Sequence, residues 1–273
     1  MKTLLCWLLL SLSSCTGLFY YPSKELSHVP SDLGLDYEEH WIDSEGLRLH
    51  AWLLPAEAKP EAAPCVFFLH GNALNLGNHL FSVAWMPERG VNVLLFDYRG
   101  YGLSEGSTGL LGLREDAHSA LDYFMSLDSC AGSKKFVLGQ SLGGAMSVEL
   151  LATAKQRDKI SGLIIDSAFS SYRDIFREKL SEFWITWPLQ LPLGYLVDDR
   201  YSPKKFAAKL PAIPKLIIHG QADLTVPYHH SQVIHQLASE PKKILTPEGI
   251  GHIAALNKRE FKDLLIDFVF SAK

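Results

Sequence analysis

Short, almost unbroken apolar runs recur along the chain: Cys65-Val66-Phe67-Phe68-Leu69, Val91-Asn92-Val93-Leu94-Leu95-Phe96, Phe136-Val137-Leu138, Ile160-Ser161-Gly162-Leu163-Ile164-Ile165 and Lys215-Leu216-Ile217-Ile218. Each is too short for a buried helix and lacks polar alternation, so each reads as a strand covered on both faces, as in a parallel sheet. Lys242-Lys243-Ile244-Leu245 is a shorter last strand. Residues 37–42 and 47–54 read as two further strands joined by a turn at Ser44-Glu45-Gly46. Helical stretches at 76–88, 110–127, 142–157, 228–238 and 258–270 separate the runs. The alternation predicts an α/β fold, a mostly parallel, doubly wound sheet flanked by helices. A chain of 273 residues, 47% hydrophobic and 21% charged, suits one large domain, expected over 35–273. A net charge of -4 argues against a nucleic-acid partner.

In such sheets ligands bind beyond the carboxyl ends of the strands. Gly139-Gln140-Ser141-Leu142-Gly143 stands there, between an apolar run and a helical segment. Strand, sharp turn and helix in that order lift a serine hydroxyl clear of the sheet and aim free N–H groups at it. A serine needs a base to take its proton, and the base needs a carboxylate to fix its tautomer. Asp223 follows the run at 215–218, and His252 follows the last strand in Gly249-Ile250-Gly251-His252. Ser141, Asp223 and His252 therefore occur in a productive order. Asp166, at the end of the run 160–165, is the rival acid. His70 and His219 read as turn and packing residues, His118 and His235 as helix-surface residues, and Arg99 and Asp97 as internal ties of their own loop. His229-His230 has no Cys or carboxylate at ligand spacing and reads as a helix start, so no metal is expected.

With His70-Gly71-Asn72, Asp97-Tyr98-Arg99-Gly100-Tyr101-Gly102-Leu103-Ser104 and His219-Gly220-Gln221-Ala222-Asp223-Leu224-Thr225-Val226-Pro227 added, the chain from about Tyr37 to its end resembles the α/β-hydrolase superfamily. The likeness is to its cap-bearing lipases, lysophospholipases and serine aminopeptidase-like members. That resemblance implies Ser141 as nucleophile, His252 as general base and then acid, and Asp223 as orienting acid. It implies an oxyanion hole from the N–H groups of Leu142 and Asn72, with Ala73 as a weaker candidate. No cofactor is implied. The expected substrate is a small acyl compound, foremost a carboxylic ester. Thioesterase, amidase or peptidase activity shares this machinery, and a catalytically silent lipid-anchored binding protein is the remaining alternative. The long connection at 167–210 carries Phe176, Phe183, Trp184, Ile185, Trp187, Leu189, Leu191, Leu193 and Tyr195. It is expected to be a small helical cap after the sixth strand, most of its apolar side chains packing it onto the body and a few lining a pocket.

The N-terminus differs in kind. Lys2 precedes the apolar run Leu4-Leu5-Cys6-Trp7-Leu8-Leu9-Leu10, which is too short to span a bilayer and reads as a signal peptide over 1–14. Leu12-Ser13-Ser14-Cys15 resembles the lipobox of bacterial lipoproteins. This implies a lipid on Cys15, a membrane partner reached through that anchor, and, with Thr16 following, an outer-membrane location facing the periplasm. Residues 15–34 are expected to be a tether. Cys65 and Cys130 remain, each near the start of a neighbouring strand; the sequence leaves open a disulfide or two separate buried thiols.

Overall fold

A computed structural model describes residues 20–57, 62–182 and 184–271. The expected signal peptide, Cys15 and Phe183 lie outside them. An eight-stranded sheet forms the centre: β1 (Glu38–Ser44), β2 (Leu47–Leu54), β3 (Cys65–Leu69), β4 (Asn92–Phe96), β5 (Lys135–Gln140), β6 (Gly162–Asp166), β7 (Lys215–Ile218) and β8 (Lys242–Leu245). The order across it is β8-β7-β6-β5-β3-β4-β2-β1. β1 pairs antiparallel with β2, and β2 antiparallel with β4; the remaining pairs are parallel. Both faces are covered, which is why the strands read as continuous apolar runs. On β3, Cys65, Phe67 and Leu69 enter one core cluster while Val66 and Phe68 enter the other.

The first cluster is closed by α1 (Leu110–Ser126) and α2 (Leu142–Thr153). Residues 142–152 of α2 are buried all round, as an apolar helix without a polar face must be. The second is closed by α6 (Arg259–Ser271) and by residues 76–89, where the single helix expected at 76–88 is replaced by short turns. Only Leu76–His79 is α-helical; 3-10 turns at Leu80–Ser82 and Pro87–Arg89 follow. Pro87 supplies no N–H to a helix, and the Trp85 indole donates to the Ser82 carbonyl (2.9 Å). Leu76, Leu80, Val83 and Met86 are buried all the same, so the apolar spacing served the core without serving one helix.

The expected tether is also corrected where it is described. Residues 20–34 pack on the body. Tyr20 is buried in the first core cluster, and Tyr21–Pro22 pairs with Ala73–Leu74. The Asn75 amide donates to the carbonyls of Ser23 (3.1 Å) and Glu25 (2.6 Å). Aromatic burial and captured carbonyls turn a Pro- and Ser-containing stretch into a fixed arm. Among the described residues no helix is long and apolar enough to cross a membrane.

Cys65 and Cys130 form a disulfide, with Cα atoms 6.0 Å apart and a sequence separation of 65. It links the start of β3 to the turn before β5, strands whose register pairs Cys65 with Lys135. Closing a loop of that size in the unfolded chain removes about 4 kcal/mol of entropy at 25 °C. Replacing both cysteines with alanine should therefore lower unfolding stability by about 2–4 kcal/mol, read as a lower denaturant midpoint. An unchanged midpoint would show that the bridge contributes nothing to stability.

Candidate active site

β5 ends at Gln140, α2 begins at Leu142, and Ser141 joins them at φ 52°, ψ -113°. That is the left-handed half of backbone space, rare for a residue with a side chain and a sign of stored strain. Its N–H donates to the Asp166 carbonyl (2.9 Å), which ties the elbow to the end of β6. The glycines beside it are required by contact. A Cβ on Gly139 would lie 2.4 Å from the Gly143 carbonyl oxygen, and one on Gly143 would lie 2.1 Å from the Leu69 carbonyl oxygen. Leu142 opens the helix, so its N–H has no intrahelical partner and stands beside Ser141.

Asp223 follows β7 and is buried. Its Oδ1 accepts the N–H groups of Thr225 and Val226, both at 2.8 Å. Its Oδ2 accepts Nδ1–H of His252 at 2.6 Å and lies 3.1 Å from His219 Nε2. Burial alone would raise this carboxyl's pKa. The hydrogen bonds from His219 and His252 outweigh that and hold it far below the usual carboxylate range. His219 is therefore more than packing: its Nε2 is also 2.7 Å from the Val226 carbonyl and its Nδ1 2.6 Å from Ser231 Oγ, which fixes the Nε2–H tautomer.

Asp166, the rival acid, is turned elsewhere. It is fully buried and accepts hydrogen bonds from the Gln140 amide and the Ser167 hydroxyl, each at 2.9 Å. Burial pushes its pKa up, and these bonds offset only part of that. Ser167 Oγ also accepts the N–H of Ile253 (3.1 Å), so the residue after His252 is pinned to the strand end that holds Ser141. The hydrogen bonds stop at the imidazole. Among the described residues none reaches the Ser141 hydroxyl, as is common before a substrate is bound.

The turn at Gly71-Asn72-Ala73 faces the elbow; a Cβ on Gly71 would stand 3.6 Å from Ser141 Cβ. The Tyr101 hydroxyl donates to the Asn72 carbonyl (2.8 Å) and orients that peptide. Arg99 and Asp97 tie their own loop to its neighbours, Arg99 through Asp116 and Asp97 by accepting the Leu76 N–H (2.8 Å).

A family model described as "Serine aminopeptidase, S33" matches residues 60–209. The chain belongs to this hydrolase family. YfhR of Escherichia coli strain K12, whose printed name calls it uncharacterized, is 34% identical over 262 residues, 94% of this chain and 87% of the relative. Protein bem46 of Schizosaccharomyces pombe is 30% identical over 228 residues, 81% of this chain and 72% of the relative. Among solved structures, the esterase Pf2001 of Pyrococcus furiosus superposes with a TM-score of 0.73 at 17% identity, covering 92% of this chain and 98% of that one. Est1E of Butyrivibrio proteoclasticus, solved with ferulic acid, gives 0.67 at 22% identity, covering 85% and 98%. The fold of this family member is the α/β-hydrolase fold.

The connection after β6 holds α3 (Tyr172–Ser181) and α4 (Gln190–Gly194), with 3-10 turns between and after them. The expected inward packing of its apolar side chains is corrected. Trp184 is 85% exposed, Ile185 66%, Trp187 59% and Tyr195 69%, and Leu189 and Leu191 are exposed too. α4 packs on α3, yet these side chains are left uncovered by the rest of the described residues. Glu178 on α3 also supplies what sequence spacing hid, a carboxylate beside His229 (3.2 Å) and His230 (3.1 Å) on α5 (His229–Leu237). These ligand-type atoms lie within 4.8 Å of one another. However, His230 Nδ1 accepts the Ser170 N–H (3.2 Å), which leaves its proton on Nε2, facing Glu178. That tautomer donates a hydrogen bond and does not offer Nε2 to a cation. The cluster therefore clasps α3 to α5.

Sequence reasoning missed His79. Its ring stacks on His70 (5.1 Å between centroids), its Nε2–H donates to the Ala73 carbonyl (2.9 Å), and its Cε1 would lie 3.0 Å from a Cβ on Gly71. Its place nine positions after His70 on a short helical turn gave no signal. Desolvation above all, with the neighbouring His70 adding to it, lowers its pKa from 6.5 to about 3. A histidine kept neutral by the fold lends stability that is full above pH 6.5 and is lost as pH falls from there toward about 3. His79→Gln keeps a donor for Ala73 and removes the titration. Unfolding midpoints of this variant should fall less steeply with acid across that window, by up to about 1.4 kcal/mol per pH unit. Parallel acid limbs for the two proteins would refute this.

Proposed function

We propose that the chain is a serine carboxylic ester hydrolase, held at the outer membrane by a lipid on Cys15 and facing the periplasm. The observation that carries the catalytic reading is the pairing of His252 Nδ1 with Asp223 Oδ2 at 2.6 Å, on the sheet end where Ser141 sits at φ 52°. Ser141 Oγ attacks the acyl carbonyl while His252 Nε2 takes its proton. Asp223 keeps Nδ1–H in place and stabilises the imidazolium. The N–H groups of Leu142 and Asn72 receive the oxyanion, and a single such donor contributes about 2.7–4 kcal/mol to the transition state. The tetrahedral adduct collapses, the alcohol leaves with the proton from His252, and water then releases the acid from Ser141 by the reverse sequence. The Cys65–Cys130 disulfide supports an oxidising compartment. The esterase names of structural neighbours support an ester over an amide, while the family's description keeps peptidase activity as the second reading.

A fluorophosphonate probe should label the wild type and leave Ser141→Ala unlabelled; equal labelling of both would overturn the nucleophile. On p-nitrophenyl esters, Asp223→Asn should lose about a thousandfold or more in kcat. Asp166→Asn should lose far less, and the reverse ranking would move the acid to β6. Faster turnover of aminoacyl p-nitroanilides than of esters would favour the peptidase reading. Globomycin should block processing of the leader if Cys15 is lipidated.

A further inference from the structure

The six most exposed large apolar side chains among the described residues are Leu224 (87%), Trp184 (85%), Tyr195 (69%), Ile185 (66%), Leu196 (65%) and Tyr21 (61%). All belong to one rim. Leu224 follows Asp223, Tyr21 pairs with the turn that follows Asn72, and the others lie on the outer side of the cap. Lys179 on α3 donates to the Leu224 carbonyl (2.8 Å), joining the cap to the Asp223 loop. Residues 184–197 carry no charged side chain, although the chain as a whole is 21% charged. Two tryptophans and a tyrosine within an uncharged apolar stretch are the composition of a membrane–water interface, where the rings meet headgroup level.

The N-terminal arm orients this rim. The Tyr21 N–H donates to the Asn72 carbonyl (3.4 Å), and Tyr20 is buried, so the described arm begins beside the proposed oxyanion turn. Five residues from Cys15 to Tyr20 span at most about 18 Å when extended. A lipid on Cys15 is therefore tethered within about 18 Å of Tyr20, on the side of the turn after Asn72.

We propose that the cap and the Leu224 loop dock on the lipid bilayer that holds the anchor, with Ser141 opening toward the lipid surface. The substrates are then acyl esters of amphiphiles drawn from that bilayer. The proposal rests on the reading of Ser141 as an esterase nucleophile and of Cys15 as the anchor, but docking is measurable without either activity.

The test uses the full, lipidated chain reconstituted in phosphatidylethanolamine–phosphatidylglycerol vesicles containing phospholipid brominated on one acyl chain, a short-range quencher of tryptophan. Wild-type fluorescence should be quenched, and Trp184→Phe/Trp187→Phe should lose at least about half of that quenching, since Trp184 (85%) and Trp187 (59%) are far more exposed than Trp41 (37%) or Trp52 (1%). Thermal unfolding checks that the double variant folds; should it not, the single Trp184→Phe is read in the same way. Ser141→Ala should be quenched like the wild type, so loss of hydrolysis and loss of docking are separate results. Equal quenching of wild type and double variant would overturn the proposal. So would shielding of these tryptophans that needs no vesicles and rises with protein concentration, which would assign the rim to a second copy of the chain.

Discussion

The site depends on how closely α2 approaches the sheet. Any side chain on Gly143 would collide with the Leu69 carbonyl, and any on Gly139 with the backbone of Gly143. With those side chains absent, the helix starts one residue after the strand ends, and Ser141 has to turn in left-handed space. That conformation is unfavourable for a serine by itself, by about 1–3 kcal/mol. Burial of residues 142–152 on all sides offsets it. The helix cannot relax outward without uncovering Val148, Leu150 and Leu151, so the packing of a whole layer holds one strained residue.

Desolvation governs the charges at the same rim. Asp223 and Asp166 stand at the ends of adjacent strands, both buried, yet their pKa values move in opposite directions. Asp223 collects two backbone N–H groups and two imidazoles, and its charged form is favoured. Asp166 receives one amide and one hydroxyl, too little to offset burial. The difference fits their positions: one carboxylate orients an imidazole, the other braces the elbow through its own carbonyl and the His252 loop through Ser167.

What the sequence revealed follows from the range of the forces involved. The strands were legible because burial on both faces leaves a local mark, an apolar run of four to six residues. Ser141, Asp223 and His252 were legible because each follows such a run. Features built by contacts between distant segments were not. His79 matters because it stacks on His70, and Glu178 because α3 lies across α5. The arm at 20–34 looked like a tether because its order comes from Asn75 and the turn after Asn72. The helix expected at 76–88 failed because its apolar spacing satisfied the core through 3-10 turns. The disulfide stayed open until the Cα positions were known.

The cap shows the limit of reading apolar content as core. Trp184 and Trp187 carry the composition of a packed layer, yet they stand 85% and 59% exposed. One side goes to the body, where Phe169 and Tyr172 meet edge to face (4.9 Å) and the Glu178 clasp fastens α3. The other stays uncovered by protein among the described residues. The proposed anchor and the proposed docking of this face make one claim, since the described arm begins beside the turn after Asn72 at the carboxyl end of the sheet. The arm itself is anchored there: Tyr21–Pro22 pairs with Ala73–Leu74, about fifty positions further along the chain, at the turn after Asn72.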